Sequence, residues 1–407
     1  MNSMLSYSDA RQTVIEVAAE LPRPLGQTQI EIEQSFGRIL SESVLADRDY
    51  PPFDRSTRDG FAVRAADAAA PGARLECVGE LRAGGQLGLT VLPGQCVEIM
   101  TGAAMPKGAD SVVMVEHTKR DGQFITLERA AKLGEHFVPR GTEARKGALL
   151  VATKTRMGYA EMALSAQAGH THMHVFAMPR LAILSTGDEV VDARSNPGPL
   201  QVRNSNGISI EILARTAGAE TLQLGNAPDE KDTLRLMIER GLEADILVLS
   251  GGVSMGKYDL VEQVLADLGA KFHFTGVSIR PGRPAVFATC CNKLVFGLPG
   301  NPVSTMVTFE LFVLPAIDVL NGGVPRSLPV FRAKLATQVR EKGPMTHFLP
   351  ARIEWEGREA RVTQLPWQGS GDIVALALAN GFLIVSPDRP EIGPGEWVDV
   401  IPRRGAI

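Results

Sequence analysis

The sequence predicts an α/β multidomain protein with a central doubly wound, mostly parallel sheet, a β-rich inserted domain and a C-terminal β-barrel domain. From residue 180 to 320, apolar strand-like runs alternate with helical segments of about 10–15 residues. This alternation is typical of βαβ units, in which helices cover both faces of a parallel sheet. Residues 75 to 127 consist of short strand-like runs separated by Gly and Pro. After Pro325 the alternation gives way to short strands and turns, a pattern typical of a small β-barrel or sandwich.

The composition is that of an ordinary globular protein. The chain has 407 residues, 42 Lys and Arg against 46 Asp and Glu, and a formal net charge of −4. This acidic balance disfavours nucleic acid as a partner, because binding to the phosphate backbone uses a basic face. Four cysteines without a Cys-x-x-Cys pair indicate neither a disulfide scaffold nor a zinc site. No apolar run reaches the roughly 20 residues that cross a bilayer, and no signal-like segment opens the chain. We therefore expect a cytoplasmic protein with no membrane partner.

Local patterns predict each element of the central region. The expected strands are RLAILS, TLQLGN, DILVLS, KFHFTGV, AVFATC and KLVFGL. A helix is expected over SNGISIEILARTAGA, beginning at Ser205 or Asn206 and ending before Gly218. Further helices are expected over DEKDTLRLMIERGL, YDLVEQVLADLG and the long, buried PVSTMVTFELFVLPAI.

Outside this region, a helix is expected from Ser8 to Leu21 with Ser8 as its cap, and another from Gly158 to Ala168. The inserted domain is expected to contain the strands FAV, LECVGEL, QCVEIM, SVVMVEH and FITL. A short helix near residues 373–379 is expected among the C-terminal strands.

Three glycine-containing loops follow apolar strands of the predicted sheet. They are LSTGDE, LSGGVSMGKYD and LPGNPVS. Ligands bind outside the carboxyl ends of parallel strands, so the three loops are expected to meet at one edge. Asn301 is a good helix cap and Pro302 suits the first helical position, which predicts that the free N–H groups of Val303 and Ser304 form an anion site. The candidate binding residues in the loops are Ser185, Gly187, Gly251, Gly252, Ser254, Pro299, Gly300, Asn301, Pro302 and Ser304.

An anion site in an acidic protein needs local positive charge. The candidate cations are Arg203, Lys257, Arg280 and Arg283, the last two within RPGRP. The same edge carries four carboxylates, Asp188, Glu189, Asp229 and Asp259. Acids beside an anion repel it unless a cation lies between them, and Mg²⁺ binds one or two carboxylates together with phosphate oxygens. The pattern therefore predicts a phosphate or pyrophosphate ligand with Mg²⁺ as cofactor.

Simpler interpretations exist for each feature. Any one of the loops can be an ordinary turn, each basic residue can be a solvated surface charge, and Asp229 can serve only to cap a helix. His170, His172 and His174 alternate and would share a strand face, but a solvated face is the expected role for them. The convergence of three such loops in one sheet favours a binding site.

The motifs together resemble the MoeA-type molybdopterin molybdotransferases, the family that includes the E domain of gephyrin. The resemblance spans nearly the whole chain. It rests on PPFDRSTRDGFAV, IMTGAAMPKGADSVVMVE, RGTEARKG, LSTGDEV, VRNSNG, SGGVSMGKYD, RPGRP, LPGNPVS and QGSGDIVALALANG. It implies that the central domain is a MogA-like molybdopterin-binding domain. The expected domains are residues 1–48 with 140–176, 49–139, 177–326 and 327–407.

The resemblance implies an enzyme that inserts molybdate into adenylylated molybdopterin and releases AMP. It adds Asp59 and Thr101 to the site, and assigns catalytic roles to these two with Glu189 and Asp229. It also implies that Asn206 contacts the substrate. Asp188 and Asp259 are then expected to bind the metal. A homodimer is implied, in which Asp59 and Thr101 approach the sheet domain across a subunit cleft. The adenylyltransferase of the same pathway and molybdoenzyme apoproteins are the further expected partners.

The sequence departs from the family pattern at several positions. Arg55, Thr57, Arg58 and Phe61 stand at variable positions of the first motif, Glu143 stands where Asp is usual, and Lys257 lies where an acid is frequent. Two alternative functions stay open: molybdopterin adenylyltransferase and non-catalytic molybdopterin carrier or scaffold. The additional domains argue against the first, and the retained acids argue against the second.

Overall fold

The computed structural model describes residues 4–21, 26–85, 88–252 and 260–403. In chain order the helices are α1 (Tyr7–Glu20), α2 (Tyr159–Gln167), α3 (Ser205–Ala217), α4 (Lys231–Gly241), α5 (Leu260–Asp267), α6 (Pro302–Thr308), α7 (Leu314–Leu320) and α8 (Ile373–Leu378). A π-helical turn, Phe309–Val313, joins α6 to α7.

The strands are, in chain order, β1 (Gln27–Glu31), β2 (Val44–Leu45), β3 (Arg55–Ser56), β4 (Gly60–Val63), β5 (Arg74–Leu81), β6 (Gln95–Ile99), β7 (Ser111–Met114), β8 (Thr118–Asp121), β9 (Phe124–Leu127), β10 (Phe137–Val138), β11 (Leu149–Val151), β12 (His172–Phe176), β13 (Arg180–Thr186), β14 (Val190–Val191), β15 (Val202–Arg203), β16 (Glu220–Ala227), β17 (Ile246–Ser250), β18 (Lys271–Phe274), β19 (Ile279–Arg280), β20 (Val286–Cys290), β21 (Lys293–Leu298), β22 (Phe331–Leu335), β23 (Val339–Arg340), β24 (Thr346–Glu356), β25 (Glu359–Gln364), β26 (Gly381–Val385), β27 (Glu391–Ile392) and β28 (Trp397–Pro402).

The chain folds into two compact units. The sheet–barrel unit comprises Met1–Gln29, Gly37–Ser41 and His174–Ile407, and the insert unit comprises Ile30–Phe36 and Glu42–Met173. The division into four domains expected from the sequence stays a prediction.

A six-stranded sheet in the order β16-β13-β17-β21-β20-β18 organises the sheet–barrel unit. β16, β13, β17 and β21 are parallel to one another, whereas β20 runs antiparallel to both β21 and β18. The prediction of a mostly parallel sheet is therefore confirmed. β20 reverses the direction because it forms a tight hairpin with β21.

Helices cover both faces of this sheet. Leu181, Ile183 and Val248 pack on one side in a core that includes residues of α1, α3, α6 and α7. The alternate residues, such as Leu184 and Leu249, pack on the other side with α4 and α5. Because both faces of each strand are buried, the strands read as continuous apolar runs, as a doubly wound sheet requires.

The C-terminal strands form a closed five-stranded barrel in the order β24-β25-β22-β28-β26, with β26 pairing back onto β24. This confirms the predicted barrel, and α8 is the helix expected near residues 373–379. The stretch Pro302–Leu320 is long and apolar enough to span a membrane, but 83% of its most apolar window is buried, as in the core helix of a globular protein.

The insert unit contains a six-stranded sheet in the order β7-β4-β6-β5-β9-β8, which confirms its β-rich prediction. Gly60 opens β4 where β7 approaches closely, because a Cβ there would lie 2.0 Å from the carbonyl oxygen of Val113. Only glycine therefore fits directly after Asp59.

The cap predicted for α1 was wrong. Ser6, and not Ser8, precedes the helix, and its Oγ accepts a hydrogen bond from the backbone N–H of Asp9 at 3.1 Å. Both serines have the same preference for the cap position, so composition alone could not choose between them.

Candidate active site

The carboxyl ends of three parallel strands meet at one edge of the sheet, as the three loops predicted. Ser185 of β13 is in register with Ser250 of β17, and Ser250 is in register with Leu298 of β21. A cavity of about 620 Å³ opens at this edge. The predicted residues that line it are Ser185, Glu189, Arg203, Asn206, Gly251, Gly252, Pro299, Gly300, Asn301 and Pro302. We call this cavity the sheet-edge cleft.

Asn206 joins the three strand ends. Its Nδ2 donates hydrogen bonds to Ser250 Oγ at 2.9 Å and to the carbonyl oxygen of Gly300 at 2.8 Å. Its Oδ1 is buried and has no hydrogen-bond partner among the described residues, and the same is true of Thr186 Oγ1. Both residues line the cleft. Since buried polar atoms are normally paired, these two oxygens are candidate contacts for a ligand.

Asn204 caps α3. Its Oδ1 accepts a hydrogen bond from the backbone N–H of Gly207 at 2.8 Å, and its Nδ2 donates to Ser185 Oγ at 2.8 Å. The helix begins at Ser205, one of the two starts that the sequence predicted. Asn206 therefore lies inside the first turn, where its side chain reaches the cleft. The predicted end of the helix at Gly218 is confirmed, because that glycine is left-handed with φ of 97°.

The second loop requires glycine where it turns away from β17. Gly251 has φ of 95°, and a Cβ there would lie 2.7 Å from the carbonyl oxygen of Thr186. An L-residue would therefore be strained and would push into the end of β13. Ser254, Lys257 and Asp259, predicted as binding or metal residues, lie outside the residues that the structure describes.

The prediction of an anion site at the start of α6 is wrong for one of its two N–H groups, that of Val303. The backbone N–H of Val303 donates to the carbonyl oxygen of Ser370 at 3.0 Å, so it is not free. Asn301 makes no capping hydrogen bond, and its Nδ2 instead donates to Ser370 Oγ at 2.7 Å. A loop of the barrel region therefore occupies the helix end, which the local sequence around Asn301 could not show.

A second cavity, of about 560 Å³, adjoins the first and shares Pro284, Pro299, Asn301 and Gly371 with it. The predicted residues Arg280, Arg283 and Ser304 line this second cavity, together with residues 367–371. We call it the arginine cleft. It brings two guanidinium groups and the buried Ser304 hydroxyl to one wall, a donor set suited to an oxyanion.

Three of the four predicted acids come together beside the sheet-edge cleft. Asp188 Oδ1 accepts a hydrogen bond from the backbone N–H of Asp229 at 3.1 Å. Burial, and then the negative charges of Asp188 and Glu189, raise the pKa of Asp229. Gly187 lies against the Glu189 side chain: a Cβ at this position would be 2.5 Å from a Glu189 carboxylate oxygen. In the described part of the chain, no group of three or more His, Cys, Asp or Glu side chains could hold a metal ion.

In the insert unit, Asp59 and Thr101 are paired and exposed. Asp59 Oδ1 accepts the backbone N–H of Thr101 at 2.7 Å, and this hydrogen bond lowers the pKa of Asp59. Glu143 forms an ion pair with Arg55, with Arg55 Nη2 and Glu143 Oε1 3.0 Å apart. Two of the departures from the family pattern are therefore direct partners.

The three alternating histidines are exposed, as expected for a solvated strand face. His172 Nε2 lies 3.1 Å from Glu31 Oε1, so this histidine has an acidic neighbour.

Sequence reasoning missed several residues that line the two cavities. They are Thr186, Asn204, Ser205, Ser250, Trp367, Gln368, Gly369, Ser370 and Gly371. Thr186 and Ser250 are the last residues of buried strands, so their position beside the loops was a usable signal. Residues 368–371 begin the motif QGSGDIVALALANG, which was a usable signal of a family feature, but their position at the clefts depends on tertiary packing.

Comparison with known proteins agrees with this geometry. Residues 5–169 match the MoeA N-terminal region, residues 182–319 match a probable molybdopterin binding domain, and residues 332–403 match the MoeA C-terminal region. A molybdopterin molybdenumtransferase of Nostoc sp. is 37% identical over 98% of this chain and 94% of its own length. The chain belongs to the MoeA family.

Other MoeA proteins extend the comparison. A molybdopterin molybdenumtransferase of Bacillus subtilis is 34% identical over 92% of this chain and 90% of its own length. The crystal structure of a MoeA protein from Pyrococcus horikoshii is 30% identical, with a TM-score of 0.78 over 99% of this chain and 100% of that chain. The MoeA relationship thus covers both units and not the sheet domain alone.

Proposed function

We propose that the protein inserts molybdate into adenylylated molybdopterin and releases AMP. As a member of the MoeA family it is a transferase of molybdenum cofactor biosynthesis. The relatives that match over nearly their full length are named molybdopterin molybdenumtransferase. This name does not favour the adenylyltransferase or carrier alternatives. The observation that carries the proposal is the pair of adjoining clefts with different donor chemistry.

The sheet-edge cleft suits the pterin. Its buried, unpartnered oxygens, Asn206 Oδ1 and Thr186 Oγ1, can accept N–H groups of a heterocycle, and the glycine backbone at 251 and 252 lets a ligand approach closely. The pterin phosphate would then lie along the glycine-lined edge. Arg203 lines the same cavity and adds positive charge.

The arginine cleft suits molybdate, a tetrahedral dianion. Arg280 and Arg283 can donate several N–H groups to its oxygens, and Ser304 can donate one more. Because the two clefts share Pro299 and Asn301, an oxyanion in one lies beside a ligand in the other. This chain would thus act mainly by positioning two anions and neutralising their charge.

The acidic cluster fits Mg²⁺ as cofactor. The pKa of Asp229 is raised by burial and also by two neighbouring carboxylates, and a divalent cation would relieve the repulsion between these acids. Asp188, with Asp259, would hold the ion, since Mg²⁺ needs only one or two carboxylates when phosphate supplies further oxygens. Asp229 would take part in catalysis beside Asp188. When bound, the ion would neutralise the phosphoanhydride beside the acids. Glu189 lines the cleft and would orient groups near the same phosphate.

Asp59 and Thr101 are proposed to complete the site from the partner subunit of a homodimer. Thr101 donates its backbone N–H to Asp59, which fixes the exposed carboxylate in its ionised form. The pathway's adenylyltransferase would supply the substrate and molybdoenzyme apoproteins would receive the product, in the cytoplasm.

The decisive experiment is incubation of the protein with adenylylated molybdopterin, Mg²⁺ and molybdate, following AMP release. AMP release that depends on molybdate supports the proposal. AMP release without molybdate, or adenylylation of molybdopterin by ATP, would contradict it.

A mixing experiment tests the shared site. Asp59→Asn and Asp229→Asn subunits are each expected to form inactive homodimers. If Asp59 acts across the dimer, a mixed dimer restores one complete site, and activity returns on mixing after dissociation and reassociation. No recovery, with mixed dimers demonstrated by tagged subunits, would contradict action across the interface.

A further inference from the structure

Two cysteines outside the clefts lie next to each other at a hairpin turn. Cys290 is the last residue of β20 and pairs with Lys293, the first residue of β21. Cys291 and Asn292 form the two-residue turn between them. The sulfur atoms of Cys290 and Cys291 are 3.9 Å apart.

Adjacency in the sequence does not by itself bring two side chains together. Successive side chains of a strand point to opposite faces. Here Cys291 has φ of 51° and Asn292 has φ of 60°, the left-handed turn that tight hairpins favour. The turn places both sulfurs on one side, so the close approach is a property of this backbone.

The 3.9 Å separation puts both sulfurs within reach of one shared centre after a small rotation of either side chain. A zinc site needs four ligands, and in the described ranges no third His, Cys, Asp or Glu joins the two thiols in a group that could hold a metal. The geometry therefore favours a soft centre that takes only two protein sulfurs.

The two thiols differ in accessibility. Cys291 is exposed, whereas Cys290 is 2% exposed and its thiol donates to the carbonyl oxygen of Leu268 at 3.5 Å. Burial raises the pKa of Cys290 to about 11, so its thiol is protonated at neutral pH. A reagent would bond first to Cys291 and then to Cys290, which is held beside it.

We propose that Cys290 and Cys291 form a dithiol site that binds a trivalent arsenical as a bidentate ligand. With an organoarsenic oxide, two As–S bonds form and the As=O bond is lost. The two thiol protons leave with the arsenical oxygen as one water molecule, and no atom changes oxidation state.

The site lies away from the clefts. β21 runs from Lys293 beside the hairpin turn to Leu298 at the sheet edge that carries the loops. The dithiol is therefore at the opposite end of the sheet, and its occupation is separate from the proposed molybdate chemistry.

The test uses the full chain and phenylarsine oxide as the probe. Bound arsenical is measured by intact mass and by titration of native thiols, before and after washing with a monothiol and then with a dithiol. The variants are Cys291→Ser, which changes an exposed side chain, and Cys77→Ser as the matched control. Cys77 is in register with the buried Cys96 and is the other candidate for paired thiols.

We expect wild type and Cys77→Ser to bind one phenylarsenic group that resists the monothiol and is released by the dithiol. The affinity of Cys291→Ser for the arsenical should be lower by about 100-fold or more, because this variant cannot form the second, intramolecular As–S bond. Circular dichroism verifies that this variant is folded. Absence of binding to wild type, retained dithiol-type binding in Cys291→Ser, or its loss in Cys77→Ser would each overturn the proposal.

Discussion

The carboxylate of Asp188 accepts the backbone N–H of Asp229, with Asp188 Oδ1 and Asp229 N 3.1 Å apart. The contact brings two carboxylates together at the start of α4, with Glu189 close by. Asp229 is the acid whose pKa is raised, by burial first and by Asp188 and Glu189 next. The carboxylates of Asp188, Glu189 and Asp229 therefore repel one another when no cation lies between them.

The variant Asp229→Asn is expected to unfold at a higher temperature than wild type at pH 7. A carboxyl whose pKa is higher in the folded than in the unfolded state stabilises the fold at low pH, and this contribution is lost as pH rises through the folded pKa. Asn removes the charge, so the difference in Tm should shrink as pH falls towards the unfolded pKa of Asp. Thermal unfolding from pH 3 to 8 measures it.

Glu243→Gln is the control for this prediction, because Glu243 is exposed and follows the other end of α4. It should show no such pH-dependent gain. An equal gain in both variants would mean that net charge, and not the acidic cluster, is responsible. Molybdate-dependent AMP release should fall in Asp229→Asn alone.

The variant Asp59→Asn is expected to fold normally and to lose molybdate insertion at low molybdate concentration. The Asn oxygen can still accept the backbone N–H of Thr101, so the local structure persists while the negative charge is lost. Loss of one preorganised group typically costs about 10²–10³ in rate. Initial rates of AMP release at limiting molybdate measure the effect.

Asp67→Asn is the matched control, because Asp67 also accepts a backbone N–H, that of Gly94 at 3.1 Å. It removes the same charge from the same unit. Unchanged insertion in Asp59→Asn would show that its carboxylate has no catalytic role.

The variant Asn206→Ala should lose both stability and pterin affinity. It leaves Ser250 Oγ and the Gly300 carbonyl without the amide that they share, at a cost of about 1–3 kcal/mol in unfolding free energy. It also removes the buried oxygen offered to the ligand. Urea denaturation and equilibrium binding of molybdopterin measure the two effects.

Asn380→Ala provides the comparison for Asn206. Asn380 makes two hydrogen bonds to the backbone of Ile353 within the barrel, and it lines neither cleft. It should lose comparable stability and keep its pterin affinity. If both variants bind equally well, Asn206 is only a structural residue.

The variant Arg283→Ala should raise the molybdate concentration needed for half-maximal AMP release by about tenfold or more, as expected for a lost hydrogen bond to a charged group. Arg332→Ala is the control, because that guanidinium lies over Trp397 on the barrel. If Arg283→Ala and wild type depend equally on molybdate concentration, the proposal that molybdate binds in the arginine cleft is wrong.

Much of the fold could be predicted because burial leaves a simple pattern in the sequence. Apolar runs such as DILVLS indicate strands buried on both faces, and Gly251 indicates a turn at the end of one. The common edge followed from the parallel direction of β13, β17 and β21. Asp188 and Asp229 were predicted to share this edge because each follows a strand of that sheet.

The remaining features depend on contacts between distant parts of the chain. Asn301 has the local pattern of a cap, but its amide binds Ser370, which is 69 residues further along. Arg55 and Glu143 looked like separate departures from the family, yet they are 88 residues apart in sequence and form an ion pair. Residues such as these acquire partners only when the fold is complete.

The hydrogen bond between Val303 and Ser370 means that the α/β domain would not keep all its contacts if it were separated from the rest of the chain. A fragment excised at residues 177–326 would expose an amide that the intact chain satisfies internally, and the arginine cleft would lose the wall formed by residues 367–371. Transplanting that domain would therefore yield a sheet without the complete second cavity. A shortened version of this protein that keeps this cavity must include residues 367–371, which lie between β25 and α8.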